Sequence, residues 1–197
     1  MKKLALVLSL VLMLTSVGCS SKTTVKETDA FRFDSKTGYA YSTAPFGIDT
    51  TELESAIGSK LTMVSESPAT APFAYTNYLS EDIVQSAGCS GKFDAQFDEN
   101  GKLFSVAFHE QLARGTAEEH FEAASKRFTE TFGAPAVQDD NGTGTQYLEW
   151  QDKSSGTALG LTYSDLGTTD PTLMISVFEK SRYVEAGTGE WTDRKSV

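Results

Sequence analysis

A thiol among small residues, two imidazoles and one loop dense in carboxylates are the groups in this chain best equipped for covalent, acid–base or metal chemistry. The thiol is Cys89, in Ala87-Gly88-Cys89-Ser90-Gly91. A nucleophilic cysteine needs a nearby imidazole or a helix N-terminus to lower its pKa. Neither neighbours Cys89, and the segment matches no cysteine-protease signature, so Cys89 is expected to be a small buried residue in a loop. The imidazoles are His109 and His120, with Glu118 and Glu119 beside the second. Their spacing is not the i, i+4 arrangement that sets two zinc ligands on one helical face, and both are expected at the surface. The loop Asp139-Asp140-Asn141-Gly142-Thr143-Gly144 begins like a calcium loop, with oxygens from Asp139, Asn141 and Thr143 and a glycine at Gly144. Its twelfth position is Trp150, however, and Glu149 falls one place short of the bidentate site. A glycine-rich hairpin connection accounts for the same residues. The chain has no serine elbow and no phosphate-binding glycine loop. The expectation is therefore a non-enzyme, without catalytic residues, metal or cofactor.

The second cysteine has a different setting. Lys2 and Lys3 precede an apolar run over residues 4–14 in which Ser9 is the one polar member, and Thr15-Ser16-Val17-Gly18-Cys19 follows. A positive start, a short apolar centre and small residues are the three parts of a secretory signal. The run is too short to span a bilayer, which takes about 20 residues as a helix. Val17, Gly18 and Cys19 resemble the box that ends bacterial lipoprotein signals, where leucine is usual at the place Ser16 occupies. The resemblance implies cleavage between Gly18 and Cys19 and acylation of Cys19 by palmitate-type chains. It also implies anchoring on the extracytoplasmic face of a cell membrane, within the cell envelope. Two or more acyl chains hold a protein stably where one does not. Ser16-x-Gly18 also fits an ordinary signal peptidase, which would leave Cys19 unmodified.

On this reading, residues 1–18 are the signal and residues 19–30 a lipidated cysteine with a flexible tether, polar and nearly free of apolar side chains. Residues 31–183 form one domain, and residues 184–197 a polar tail whose Trp191 is expected to fold back on that domain. Loss of Lys2 and Lys3 takes the formal net charge from −10 to −12. Such an acidic chain lacks the basic side chains that neutralise phosphates, so nucleic acid is excluded as a partner. With Cys19 acylated, only Cys89 remains, and no intramolecular disulfide can form. The core must hold the domain.

Two capped helices stand out among the elements. Asp49-Thr50-Thr51-Glu52 is a capping box that opens a helix through Leu53, Ala56 and Ile57, ended by Gly58. Thr116-Ala117-Glu118-Glu119 opens a second, whose Ala117, Phe121, Ala124, Phe128 and Phe132 share one face before Gly133 and Pro135. Alternating runs predict strands over residues 92–97 and 102–109, with Phe104, Val106 and Phe108 on one face of the latter. Further strands are predicted over 73–79, 146–151, 157–163 and 172–179. A hairpin is expected to join Phe31-Arg32-Phe33 to Tyr39-Ala40-Tyr41.

Helix then strands, twice, with connections of hairpin length, predicts an α+β fold: two helices packed on an antiparallel sheet. Residues 51–110 and 116–180 read as two copies of a duplicated unit. The order resembles small bacterial envelope proteins that pack a helix on an antiparallel sheet, among them the β-lactamase-inhibitor type. That resemblance concerns topology alone and carries no residue roles. The function expected is that of an envelope lipoprotein whose domain binds a protein or cell-wall partner. A hydrolase using scattered carboxylates and a small-ligand-binding lipoprotein are the alternatives.

Overall fold

Long runs in which every second residue is apolar can bury only one face of a sheet, and such runs dominate this chain. The computed structural model describes residues 25–28, 30–86, 89–111, 117–140, 142–167 and 170–192. The elements in order are β1 (Val25–Thr28), β2 (Phe31–Asp34), β3 (Gly38–Tyr41), α1 (Thr50–Ile57), β4 (Leu61–Glu66), β5 (Tyr75–Ser80), β6 (Val84–Ser86), β7 (Cys89–Asp98) and β8 (Leu103–Gln111). They continue with α2 (Ala117–Phe132), β9 (Val137–Asp140), β10 (Thr145–Asp152), β11 (Thr157–Ser164), β12 (Thr172–Phe178) and α3 (Lys180–Glu185). Strands β1-β2-β3 form a small sheet. The large sheet runs β4-β5-β7-β8-β12-β11-β10-β9, with β6 paired to β7 off that path, and its pairings are antiparallel.

The architecture is richer in sheet than two helices on a sheet would be. It has a third helix, α3, and the Phe31–Tyr41 hairpin gains a third strand. Part of the segment read as tether, Val25–Thr28, pairs with β2 from Val25↔Asp34 to Thr28↔Phe31. The tail also starts later than expected, because Val184 and Glu185 belong to α3.

Local chemistry explains the ends of α1. The Asp49 carboxylate accepts from the Glu52 backbone N–H and Glu52 accepts from that of Asp49, each at 3.0 Å, while Gly58 closes the helix in the left-handed region at φ 70°. In α2, Phe121, Ala124, Phe128 and Phe132 are buried at helical spacing. Phe128 is fully buried and meets Phe31, Phe132 and Trp150 with ring centroids 5.7 to 5.9 Å apart. Trp150 in turn donates its indole N–H to the Gly133 carbonyl at 2.6 Å, tying the end of α2 to β10. Thr116, the expected cap, lies outside the described residues.

The core thus sits between one face of the large sheet and a cover of α2, α1 and the small sheet. That near face carries Phe93, Ala95 and Phe97 of β7, Val106 and Phe108 of β8, Ile175 and Val177 of β12, and Leu148 and Trp150 of β10. One expected member is elsewhere. A register shift between β7 and β8 sets Phe97 opposite Leu103 and Gln96 opposite Ser105. Leu103 therefore joins the core row, whereas Phe104 packs among Phe73, Tyr75 and the Arg182 guanidinium.

The Phe128→Ala variant is expected to lose about 3–5 kcal/mol of stability, since it removes a fully buried ring packed against Phe31, Phe132 and Trp150. Urea unfolding followed by tryptophan fluorescence measures it.

Candidate functional site

The opposite, far face of the large sheet is defined by register. Asp94 faces Ala107, Ala107 faces Ser176, Ser176 faces Gly160 and Gly160 faces Glu149, so these five form one row across five strands. On one side of it runs Lys92–His109–Met174–Thr162–Tyr147, and on the other Gln96–Ser105–Phe178–Ala158–Gln151. The middle of this lattice is built from Ala107, Ser105, Ser176, Gly160 and Ala158, none of which rises far above the backbone. Larger side chains stand around it. The result is a shallow open cleft of about 320 Å³, lined among others by Asp94, Gln96, His109, Tyr147, Met174 and Tyr183.

One wall depends on a polar cluster buried at the C-terminal end of the chain. Lys180 pairs with Glu149, and both are nearly out of solvent, at 9% and 5% side-chain exposure. Glu149 also accepts from the Tyr147 phenol and, at 2.5 Å, from the Gln151 amide. Burial, then the Glu149 charge, push the Tyr147 phenol above its usual range, so it stays protonated and donates. Gly160 makes room for that ring: a Cβ there would stand 2.8 Å from Ser176 Oγ and 3.3 Å from Tyr147 Cε2. The Trp191 ring lies 5.8 Å from Lys180 Nζ, and the Thr192 backbone N–H donates to Gln151 at 3.0 Å. Trp191 is thus folded back on the domain.

The second wall is aromatic. Tyr183 packs edge-on against Phe178 and Phe73 with centroids 5.7 and 5.1 Å away, and donates its hydroxyl to Gln96 at 3.2 Å. Next to it Arg182 pairs with Glu179 and with Asp98 at 3.1 Å. Burial opposes ionisation of Asp98, but the backbone N–H groups of Lys102 and Asn100 and the Arg182 guanidinium outweigh it and hold the carboxyl below its usual range.

The residues singled out in the sequence separate here. His109, expected at the surface, is half-buried in the cleft, where burial pushes its imidazole below the usual range against the pull of Asp94. His120 stands apart at the start of α2, its Nδ1 3.7 Å from Glu110 on the near face. The loop of Asp139 is a hairpin: Asp139 pairs with Tyr147 in the sheet and Asp140 accepts from the Gly142 backbone N–H at 2.9 Å. Glu149, the would-be calcium ligand, is committed to Lys180. Asn141 lies outside the described residues. Cys89 is not in a loop but opens β7, opposite Ser86, and the expectation that its side chain is buried lies outside what is described. Gly18 and Cys19 lie outside the described residues too. Among the described residues, no group of three or more His, Cys, Asp or Glu side chains is placed to hold a metal ion. No helix among them is long and apolar enough to cross a membrane. The sequence hid the cleft because alternate positions on five strands supply it; only the run Tyr147-x-Glu149-x-Gln151 signalled a polar second face.

Removing one member of the buried pair leaves the other charge without a partner. Lys180→Met is expected to cost about 3–5 kcal/mol, and adding Glu149→Gln to recover a large part of it; chemical denaturation of the parent and the two variants tests this. His109 is a base whose folded pKa is depressed. Its contribution to stability is complete above its unfolded pKa of about 6.5 and is lost as pH falls through the folded value. A His109→Gln variant is expected to show a smaller drop in urea midpoint between neutral and acidic pH than the parent.

No family of proteins, no curated protein and no solved structure matches this chain.

Proposed function

We propose that this protein is a lipid-anchored, non-enzymatic binding module of the cell envelope, and that it engages a protein partner through the far face of its large sheet. The observation that carries this reading is the contrast between the two faces. The near face is closed by α2, α1 and the small sheet. The far face holds a cleft with a floor of small residues and rigid polar and aromatic walls. A patch with tyrosines, a methionine and fixed hydrogen-bonding groups has the composition of a recognition surface. Two carboxylates beside the cleft walls, Glu149 and Asp98, are tied into ion pairs, and Asp94 in the lining accepts from the Asn77 amide.

The same proposal includes the duplicated unit of residues 51–110 and 116–180. The order β4-β5-β7-β8 on one side of the β8–β12 seam is mirrored by β9-β10-β11-β12 on the other, and a helix precedes each run. This arrangement supports two helix-then-strands units joined back to back, which would place the cleft where they meet. The anchor rests on the resemblance of Val17-Gly18-Cys19 to a lipoprotein box.

Two measurements test the proposal. Labelled palmitate should enter the parent protein and not a Cys19→Ala variant, which should leave the membrane fraction. A photo-crosslinking residue at Gln96 or Met174 should capture one and the same partner in intact envelopes, while one at the exposed Lys126 of α2 should not. Equal capture from both sides, or none from the cleft, would refute the docking face.

A further inference from the structure

We infer that a second hollow on the far face, beside β6, β7 and β8, receives the phenol ring of a tyrosine presented by the partner, with the His109 imidazole accepting from its hydroxyl. This rests on the far face being the docking surface, and it names the chemistry recognised there. The hollow measures about 500 Å³ and is lined by Ile83, Ser90, Gly91, Lys92 and His109. It adjoins the cleft, because His109 lines both. Its volume lies within the range of ligand sites, about 300 to 1,000 Å³. Most of what it presents is apolar. Ile83 leaves a large aliphatic side chain 61% exposed. Lys92 directs its ammonium to the carbonyls of Ser80 at 3.0 Å and Glu81 at 2.6 Å, which leaves its methylene stem to the hollow. Gly91 contributes backbone alone, and a Cβ there would stand 2.8 Å from Phe108 Cζ.

The polar side chains of the lining differ in what they still offer. The Ser90 hydroxyl already accepts from the Gln85 amide at 2.7 Å. The His109 imidazole hydrogen-bonds none of the described residues, and it is half-buried with neither nitrogen sealed from solvent. The charged groups facing it are Lys92 and Asp94 of β7. Strand β12 sets Met174 opposite it, and the Tyr147 phenol of β10 stands three strands along the same row. Burial holds the imidazole below its usual range against the pull of Asp94. Near neutral pH it is therefore uncharged and presents one donor and one acceptor nitrogen. Charge then selects the ligand. Asp94, with the exposed Glu81 and Asp82 just before Ile83, repels an anion. A cation would lose its water against Ile83 and the Lys92 stem, close to a second ammonium. A neutral ring with a hydroxyl meets neither obstacle: the ring covers Ile83 and the stem, and its O–H reaches the acceptor nitrogen.

Saturation-transfer titrations of the full chain in lipid nanodiscs test this with N-acetyl-tyrosine amide as ligand. N-acetyl-phenylalanine amide, which lacks only the hydroxyl, is the control, and empty nanodiscs are the blank. Near neutral pH the tyrosine compound should bind about fivefold more tightly than the control, the worth of one net hydrogen bond. His109→Leu should abolish that preference. Acidification through the folded pKa of His109 should abolish it in the parent, because an imidazolium has no acceptor nitrogen. Ile83→Asp, at an exposed position, should weaken binding of both compounds. Urea midpoints near that of the parent show that the variants are folded. Equal affinity for the two compounds, a preference that survives His109→Leu or acid, binding unchanged in Ile83→Asp, or no binding in the parent would overturn the assignment. If crosslinking from the far face succeeds while the tyrosine compound fails, only the phenol assignment falls. If crosslinking fails while the compound binds, the docking face falls and the subsite stands.

Discussion

The architecture depends on one constraint: a single antiparallel sheet must hide its apolar face with a short chain. The seam between β8 and β12 makes the two runs of strands continuous, through seven facing pairs from Thr172↔Gln111 to Phe178↔Ser105. Continuity puts Phe108, Ile175, Leu161 and Leu148 in one row on the same side. One sixteen-residue helix, a shorter one and a three-stranded ribbon suffice to cover that side. Little chain remains for the other. Its residues must therefore tolerate water, be tied to one another, or be closed by something else, and all three solutions occur side by side on it.

The tied group is Lys180–Glu149, with Tyr147 and Gln151 around it. A buried ion pair adds little net stability, because taking two charges out of water offsets their attraction. Its effect is positional: the pair ties the start of α3 to β10, and the segment with Trp191 lies against the same cluster. The sheet edges are managed by simpler means. On β9 the exposed Gln138, Asp139 and Asp140 discourage further pairing, and on β4, where Met63 and Val64 are about half exposed, a register shift between Met63 and Ser65 interrupts the ladder.

Elements with one wet and one dry face were legible in the sequence. Alternation marked β7 and β8, and the capping box with a closing glycine marked α1 nearly to the residue. Elements without that asymmetry were not. Strand β4 is exposed along most of its length, β9 is acidic, and α3 is a single short helix with no side-chain cap. Phe104 shows the limit within a correctly placed strand, since one register shift turned it away from the row its spacing implied. The cleft was less legible still. Asp94, His109, Tyr147 and Met174 span eighty residues of sequence and become neighbours only through the pairing of five strands.

The pairing of β1 with β2 bears on geography. Strand β1 begins at Val25, six positions along the chain from Cys19, whereas Ala30 stands eleven positions from it. Fully stretched, six residues reach about 20 Å. With the acylation proposed for Cys19, this is a short leash: the domain would work within a couple of nanometres of the lipid headgroups. Whatever meets it must come down to that height, which favours neighbours embedded in the same bilayer over those deep in the cell wall.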